Sequence, residues 1–363
     1  MKTVMLIFGT RPEAIKMCPL VKELKTRKEI RTVVAVSGQH REMLDSVMSS
    51  FGVVPDHDLE IMRPGQTLFD VTEKVLSGTE ALLDRVRPQA VVVHGDTSTA
   101  FAASLACFYK KIPLCHVEAG LRSGDVRSPF PEEFNRRAIS MISEYDFAPT
   151  ERAKINLIKE GKDKDRIFIT GNTAIDALKT TVRQDYSHPL LEWVGNDRLI
   201  LLTAHRRENC GKPMESVFRG VKRIIEEHGN VKVIFPIHAN PAVRASADLL
   251  RGIDGLRMIE PLDVLDFHNL MARCYMVLTD SGGIQEEAPA LGKPVLVTRS
   301  VTERREAVDA GTVVTVGTDE ETVYRSIKRL LTDTAAYDGM ARAVNPYGDG
   351  HACQRIADIL EKI

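Results

Sequence analysis

Two short stretches set a histidine two residues ahead of a carboxylate, His94-Gly95-Asp96 and His116-Val117-Glu118. From an extended strand such residues point the same way. Two such pairs on neighbouring strands would make a metal site or an acid-base site. Either pair alone reads equally well as a strand-end residue capping a turn or helix; together they favour function. A third acidic stretch, Ser128-Pro129-Phe130-Pro131-Glu132-Glu133, continues to Arg136 and Arg137. It reads as a proline-initiated helix with acids in its first turn, and Glu132/Arg136 and Glu133/Arg137 have ion-pair spacing. A structural account is complete for that stretch taken by itself.

Cationic and glycine-rich groups follow other apolar runs. Thr203-Ala204-His205-Arg206-Arg207-Glu208 sets an imidazole and two guanidinium groups at one strand end, where they could hold a diphosphate whose charge grows as it departs. An exposed basic loop paired through Glu208 is the plainer reading. Thr279-Asp280-Ser281-Gly282-Gly283 runs into a helix-like segment carrying Glu287. Glycines let amides approach phosphate oxygens, Ser281 can donate a hydrogen bond, and Glu287 could accept from both hydroxyls of a ribose. The pattern is neither Gly-x-Gly-x-x-Gly nor a Walker loop, which disfavours a nicotinamide enzyme and a P-loop ATPase. Gly9-Thr10-Arg11-Pro12-Glu13, with Lys16 beyond it, is a weaker signal of the same kind.

The elements that must position these groups are short β-branched runs: 3–8, 32–37, 89–94, 112–117, 146–148 and 166–170, then 198–203, 231–235, 256–259, 275–279 and 293–297. Near-continuous apolar strands predict a sheet covered on both faces. Residues 12–24 carry Ile15, Leu20, Val21 and Leu24 at helical spacing after Pro12, so the chain opens with a β-α unit. In such sheets ligands sit beyond the carboxyl ends of the strands, where the chemical groups above fall. The pattern restarts after the polar stretch 184–196. This predicts two doubly wound α/β domains, residues 1–180 and 181–350, and a last helix over 351–363 packing across the hinge.

A length of 363 residues suits two domains of roughly 150 residues. With 49 basic and 50 acidic residues there is no general field for a polyanion, so neither nucleic acid nor a membrane surface is expected as a partner. The 43% hydrophobic and 27% charged content places the chain among globular proteins. Six cysteines without a Cys-x-x-Cys pair read as reduced, buried thiols. The first apolar run is too short for a signal core or a membrane span, which predicts a cytoplasmic protein.

Taken together, Phe8-Gly9-Thr10-Arg11-Pro12-Glu13, His94-Gly95-Asp96, His116 to Arg122, Pro131-Glu132-Glu133, His205 to Glu208, Thr279 to Pro289 and Asn345-Pro346-Tyr347-Gly348-Asp349-Gly350 resemble the bacterial non-hydrolysing UDP-N-acetylglucosamine 2-epimerases. The motifs run in that family's order along almost the whole chain. The resemblance implies two Rossmann-like domains in a glycosyltransferase-B arrangement with a deep interdomain cleft, and a homodimer. It implies reversible inversion at carbon 2 through anti elimination of UDP to 2-acetamidoglucal and syn re-addition, without metal or redox cofactor. The product would supply N-acetylmannosamine units for cell-surface polysaccharide.

Carried over by position, Asp96, Glu118, Glu132 and His205 would surround the reacting sugar. Arg11, Lys16, Ser281, Gly282 and Gly283 would hold the diphosphate. Phe267 would stack on uracil beside the Leu262 backbone, with Glu287 on the ribose and Arg304 assisting. Gln39, Gln66, Arg206 and His238 would bind a second UDP-N-acetylglucosamine as an allosteric activator. Gly65, Ala239 and the segment Ser300 to Arg305 depart from the family's usual residues. Four alternatives stay open: a hydrolysing epimerase, a glycosyltransferase of the same architecture, a metallohydrolase using His94, Asp96, His116 and Glu118, and a nucleotide-sugar sensor.

Overall fold

The fold, obtained as a computed structural model, describes residues 1–363 apart from Gln39, His40, Pro64, Arg207 and Glu208, and for residues 41–43 the backbone only. The chain separates into unit 1, Met1–Thr180 with Tyr347–Ile363, and unit 2, Thr181–Pro346. Each is a parallel sheet flanked by helices.

Unit 1 contains β1 (Lys2–Phe8), β2 (Ile30–Val36), β3 (His57–Asp58), β4 (Ala90–His94), β5 (Leu114–Val117), β6 (Tyr145–Ala148) and β7 (Ile167–Ile169). Their order is β3-β2-β1-β4-β5-β6-β7, all parallel. Central strands are apolar throughout because both faces are covered: Val4 to Phe8 and Val91 to Val93 have no solvent exposure. The order reverses between β1 and β4, so the turns after these two strands flank the switch point where α/β sheets bind ligands.

The first crossover helix, Arg11–Lys25, has a capping box: Thr10 accepts from the Glu13 amide while the Glu13 carboxylate accepts from the Thr10 amide. Pro12 sits in its first turn, Lys22 and Lys25 in its last, and Ala14, Met17, Cys18, Val21 and Leu24 face inward. The final helix, Ala352–Lys362, belongs to unit 1 and packs on that first helix. Asp176 caps its first turn, accepting from the amides of Ala352 at 3.1 Å and Cys353 at 2.9 Å, and Asp358 pairs with Arg27 at 2.6 Å.

Unit 2 contains β8 (Arg198–Thr203), β9 (Val231–Pro236), β10 (Leu256–Ile259), β11 (Met276–Thr279), β12 (Val295–Val297) and β13 (Val313–Thr315), in the order β10-β9-β8-β11-β12-β13. These strands are also parallel, and the switch lies between β8 and β11. Helix Lys212–Glu227 turns Met214, Val217, Phe218, Val221, Ile224 and Ile225 into the core, where Phe218 meets Phe235 with ring centres 5.4 Å apart.

Eleven of the strands among the described residues overlap the apolar runs read from sequence. The two that do not are β3 and β13, edge strands of two and three residues. All six cysteines are free, and no helix among the described residues is long and apolar enough to cross a membrane.

Gly120 follows the β5 turn with φ +88°, and a Cβ there would stand 2.2 Å from the Ala153 carbonyl oxygen. Gly124 has φ +96° with open space around it. Gly124→Ala should cost the backbone strain alone, about 1 kcal/mol, and Gly120→Ala at least about 2 kcal/mol more, since backbone must move. Urea unfolding of both variants checks this; equal losses would refute the close packing.

Candidate active site

β4 stops at His94 and β5 at Val117, and both chains then turn through left-handed backbone, Gly95 at φ +65° and Glu118 at φ +64°. The carboxylates are therefore off the strands, and the expected same-face pairing of His94 with Asp96 and His116 with Glu118 does not form. Contacts run across strands instead. His94 Nε2 lies 3.7 Å from Glu118 Oε2, while His116 Nε2 meets the Gly95 carbonyl at 2.7 Å and its Nδ1 lies 3.8 Å from Asp146. Burial pushes His94 down to about 3, against the pull of Glu118, and lowers His116 as well. Both rings are neutral at physiological pH. The geometry opposes a His94, Asp96, His116, Glu118 metal quartet, and among the described residues no group of three or more His, Cys, Asp or Glu side chains is placed to hold a metal ion.

Glu118 is tightly constrained. A left-handed conformation is costly for a residue with a Cβ and persists where the surroundings over-determine it. Here Lys16 Nζ and Asn172 Nδ2, the latter at 2.9 Å, both donate to Oε2, and the side chain is only 9% exposed. Lys16, expected near a diphosphate, is thus bonded to the carboxylate. Asn172 is itself fixed: its amide donates to the Tyr347 carbonyl at 2.7 Å and its side-chain oxygen accepts from Ala174 N at 3.0 Å.

Asp96 is held by the Arg136 guanidinium, and its carbonyl accepts from Asn135 Nδ2 at 2.9 Å. Arg136 also reaches Glu133 at 3.3 Å, as does Arg137 at 2.9 Å. Sequence spacing paired Arg136 with Glu132; the fold gives it to Asp96 and Glu133. Glu132 opens helix Glu132–Ile142, and its buried Oε2 has no hydrogen-bond partner among the described residues. Arg11 is exposed at the mouth of the β1 turn. Beneath it, Glu13 accepts from Gly9 N at 3.0 Å, Thr10 N and Oγ1 at 2.8 Å, and Thr97 Oγ1 at 2.8 Å, locking the β1 turn to the β4 turn.

In unit 2, Asp280 follows β11 and is fully buried. Its Oδ2 accepts from the amides of His205 at 2.8 Å and Arg206 at 2.9 Å, and its Oδ1 stands 2.8 Å from His205 Nδ1. Burial alone would raise Asp280, but the His205 ring and the two amides bring it below its ordinary value. The turn Ser281-Gly282-Gly283 is half-buried, and a Cβ on Gly282 would come within 3.3 Å of the Arg304 guanidinium carbon. Arg304 is committed to Glu286 at 2.7 Å and Glu303 at 3.2 Å. Burial opposes the charge on Glu303, yet Arg304 and Arg299 draw it down to about 2.

Glu287, 9% exposed, lies 3.5 Å from His268 Nε2, whose Nδ1 meets Thr181 Oγ1 at 2.8 Å. Phe267 and Leu262 are half-buried at and before helix Val264–Arg273. His238 is exposed and accepts from Asn240 N at 3.1 Å; Arg206 points to Glu303 at 3.5 Å. In unit 1, Gln66 accepts from Arg63 N at 3.1 Å, and Gln39 lies outside the described residues. Sequence reasoning missed Asn172 and Asp280. Asp280 stood in a quoted motif, and its position between a strand end and a Ser-Gly-Gly turn was the available signal.

A family model described as UDP-N-acetylglucosamine 2-epimerase matches residues 22–361. The chain is 56% identical over 358 residues to the UDP-N-acetylglucosamine 2-epimerase of Bacillus subtilis strain 168, spanning 98% of this chain and 94% of that protein. Two solved structures are close: S. aureus MnaA in a co-structure with UDP, at 50% identity and TM-score 0.91 over 100% of this chain and 96% of that one, and the UDP-GlcNAc 2-epimerase from Neisseria meningitidis bound to UDP-GlcNAc, at 44% identity and TM-score 0.91 over 99% and 100%.

Burial raises Glu13 from 4.5 to about 7, with the Thr10, Gly9 and Thr97 donors holding it back. As pH rises the unfolded chain gives up this proton first, so the folded state loses stability between about 4.5 and 7 and no more above. Relative to Glu13→Gln, which does not titrate and keeps an acceptor for the amides, the wild type should lose roughly 3 kcal/mol across that window. Urea unfolding of both proteins from pH 4 to 8 measures it. A constant difference would refute a protonated buried carboxyl.

Proposed function

Because the chain belongs to the UDP-N-acetylglucosamine 2-epimerase family and is an enzyme of that activity, we propose that it interconverts UDP-N-acetylglucosamine and UDP-N-acetylmannosamine by elimination and re-addition of UDP, without releasing free sugar. Inversion at carbon 2 requires that carbon's hydrogen to leave as a proton and return on the opposite face. A carboxylate takes the proton, the C–H electron pair becomes the carbon 1 to carbon 2 double bond, and the carbon 1 to oxygen pair leaves with UDP in an anti elimination. UDP then re-adds syn to the 2-acetamidoglucal as carbon 2 regains a proton.

The observation that carries this reading is a set of carboxylates in unit 1: Glu118 and Asp96 at strand ends, under Lys16 with Asn172 and under Arg136, and Glu132 at the start of helix Glu132–Ile142, with a buried oxygen that lacks a hydrogen-bond partner among the described residues. Two are fixed by cations, which suits acid-base partners that must keep their geometry through a reversible reaction. Charge on the departing diphosphate is assigned to Arg11, His205 and the backbone at Ser281, Gly282 and Gly283. Lys16 serves through Glu118. Glu287 is assigned the ribose, Phe267 and Leu262 the uracil, and Arg304 the shaping of the glycine turn.

The same reading extends to a homodimer, supported by exposed Phe108, Tyr109, Phe134 and Met141 on the adjacent helices Ser98–Lys110 and Glu132–Ile142. It also extends to a second UDP-N-acetylglucosamine acting as activator through Gln39, Gln66, Arg206 and His238. An activated cytoplasmic sugar nucleotide is a donor suited to building surface polysaccharide.

Proton NMR of UDP-N-acetylglucosamine with the enzyme in deuterium oxide tests the proposal. A UDP-N-acetylmannosamine signal with deuterium at carbon 2 is expected, and Glu118→Gln, Asp96→Asn and Glu132→Gln should each slow its growth by about 100-fold or more while remaining folded. Net free N-acetylmannosamine would replace this reading with the hydrolysing one. Turnover that depends on an acceptor would replace it with glycosyl transfer, and bound ligand without exchange with a sensor.

A further inference from the structure

Resting on the reading above, we infer that Asp280 is a positioning residue that fixes His205 with Nδ1 protonated and turned inward, so that Nε2 is presented to the leaving diphosphate and, in the charged ring, donates a hydrogen bond to it as UDP departs. The Asp280 carboxylate is fully buried, and a buried charge persists only where its oxygens are satisfied. Oδ2 is satisfied by the amides of His205 and Arg206. Oδ1 has no aligned hydrogen-bond donor among the described residues and stands 2.8 Å from His205 Nδ1 as an ion-pair contact, a distance at which two lone pairs would repel. An acceptor in that place requires Nδ1 to carry hydrogen, which in the neutral ring leaves Nε2 as a lone pair and in the charged ring makes it a donor.

The two amide bonds hold the His205 backbone and the ring contact holds its side chain, so one carboxylate sets both position and rotation. The His205 side chain is 41% exposed, which a group that only braced a core would not be. Around the ring, Asp280 faces it from the end of β11 and His238 from the end of β9, with ring centres 6.1 Å apart, while neighbouring Arg206 is turned to Glu303. Asp280 is thus the anion in contact with the ring among the described residues. The proton involved is accounted for simply. Imidazolium Nε2–H donates to the phosphate oxygen that receives the carbon 1 to oxygen pair, and in the reverse addition that oxygen leaves the hydrogen bond as it attacks carbon 1.

The test combines a measurement on the resting enzyme with one on turnover. In protein labelled with 15N in histidine, the His205 signals, assigned by their loss in His205→Asn, should show protonated Nδ1 and unprotonated Nε2 on the alkaline side of its titration. In Asp280→Asn, where the amide donates to Nδ1, the tautomer should invert. kcat should then fall about 10- to 1,000-fold, with KM changed by less than about 3-fold. Protonated Nε2 in the neutral wild-type ring, or an Asp280→Asn enzyme with unchanged kcat, would overturn the inference. The wild-type tautomer decides the matter if the variant does not fold. Failure of wild-type protein to exchange the carbon 2 hydrogen would instead remove the parent reading, while leaving the tautomer result standing.

Discussion

A strand hydrogen-bonded on both edges and covered on both faces has little place for a charged side chain, and this constraint organises the molecule. β1, β4 and β8 are apolar along nearly their whole buried length. Asp96, Glu118, His205 and Asp280 accordingly lie in the turns beyond the carboxyl ends of interior strands. Because all thirteen strands among the described residues are parallel within their sheets, those turns fall along one edge of each sheet. The glycines and the left-handed Glu118 at these edges follow from the same constraint: the chain must leave an interior strand sharply to enter a covering helix.

Once exported, the charges are still largely out of water, and the fold handles them by pairing. Glu118 meets Lys16, Asp96 and Glu133 share Arg136, Glu286 and Glu303 share Arg304, and Asp280 meets His205. Removing one member of a buried pair typically costs about 3–5 kcal/mol because the other is left uncompensated. Such pairs therefore act as fixed geometry. The histidines of unit 1 show the contrasting solution: His94 and His116 are neutral rings that fill the space behind the carboxylates.

Much of this was legible in the sequence, and the exceptions have physical causes. Apolar runs located eleven strands because a buried parallel strand leaves a marked signature, whereas the two-residue β3 is too short to leave any and β13, an edge strand with Val314 exposed, was passed over. Motifs located Asp96, Glu118, Glu132, His205 and the Ser-Gly-Gly turn. What alternation could not supply was direction. It assumed that strands continue through Asp96 and Glu118, but both positions lie beyond a left-handed turn, so each histidine and its carboxylate part company. Helical spacing likewise offered Arg136 to Glu132, and a carboxylate 40 positions away took it. Asn172 and Asp280 were invisible as partners because their contacts, to Glu118 and His205, span 54 and 75 positions.

The pairing also decides what is left for a ligand. Lys16, Arg136 and Arg304 already face carboxylates, so a phosphate competing for them would have to displace an anion of similar charge from a partly desolvated site. Exposed Arg11, the half-exposed edge of His205 and backbone amides at glycines face no such competition. Amides carry only partial charge, and they bind an anion without binding it so tightly that it cannot be released. The reversible elimination proposed above would need that property: departing UDP would have to be stabilised enough to break the carbon to oxygen bond, yet its oxygen left reactive enough to attack again. Neutralising the diphosphate with several committed guanidinium groups would serve departure at the expense of return. The internal consumption of cations in this fold is consistent with a site balanced for both directions.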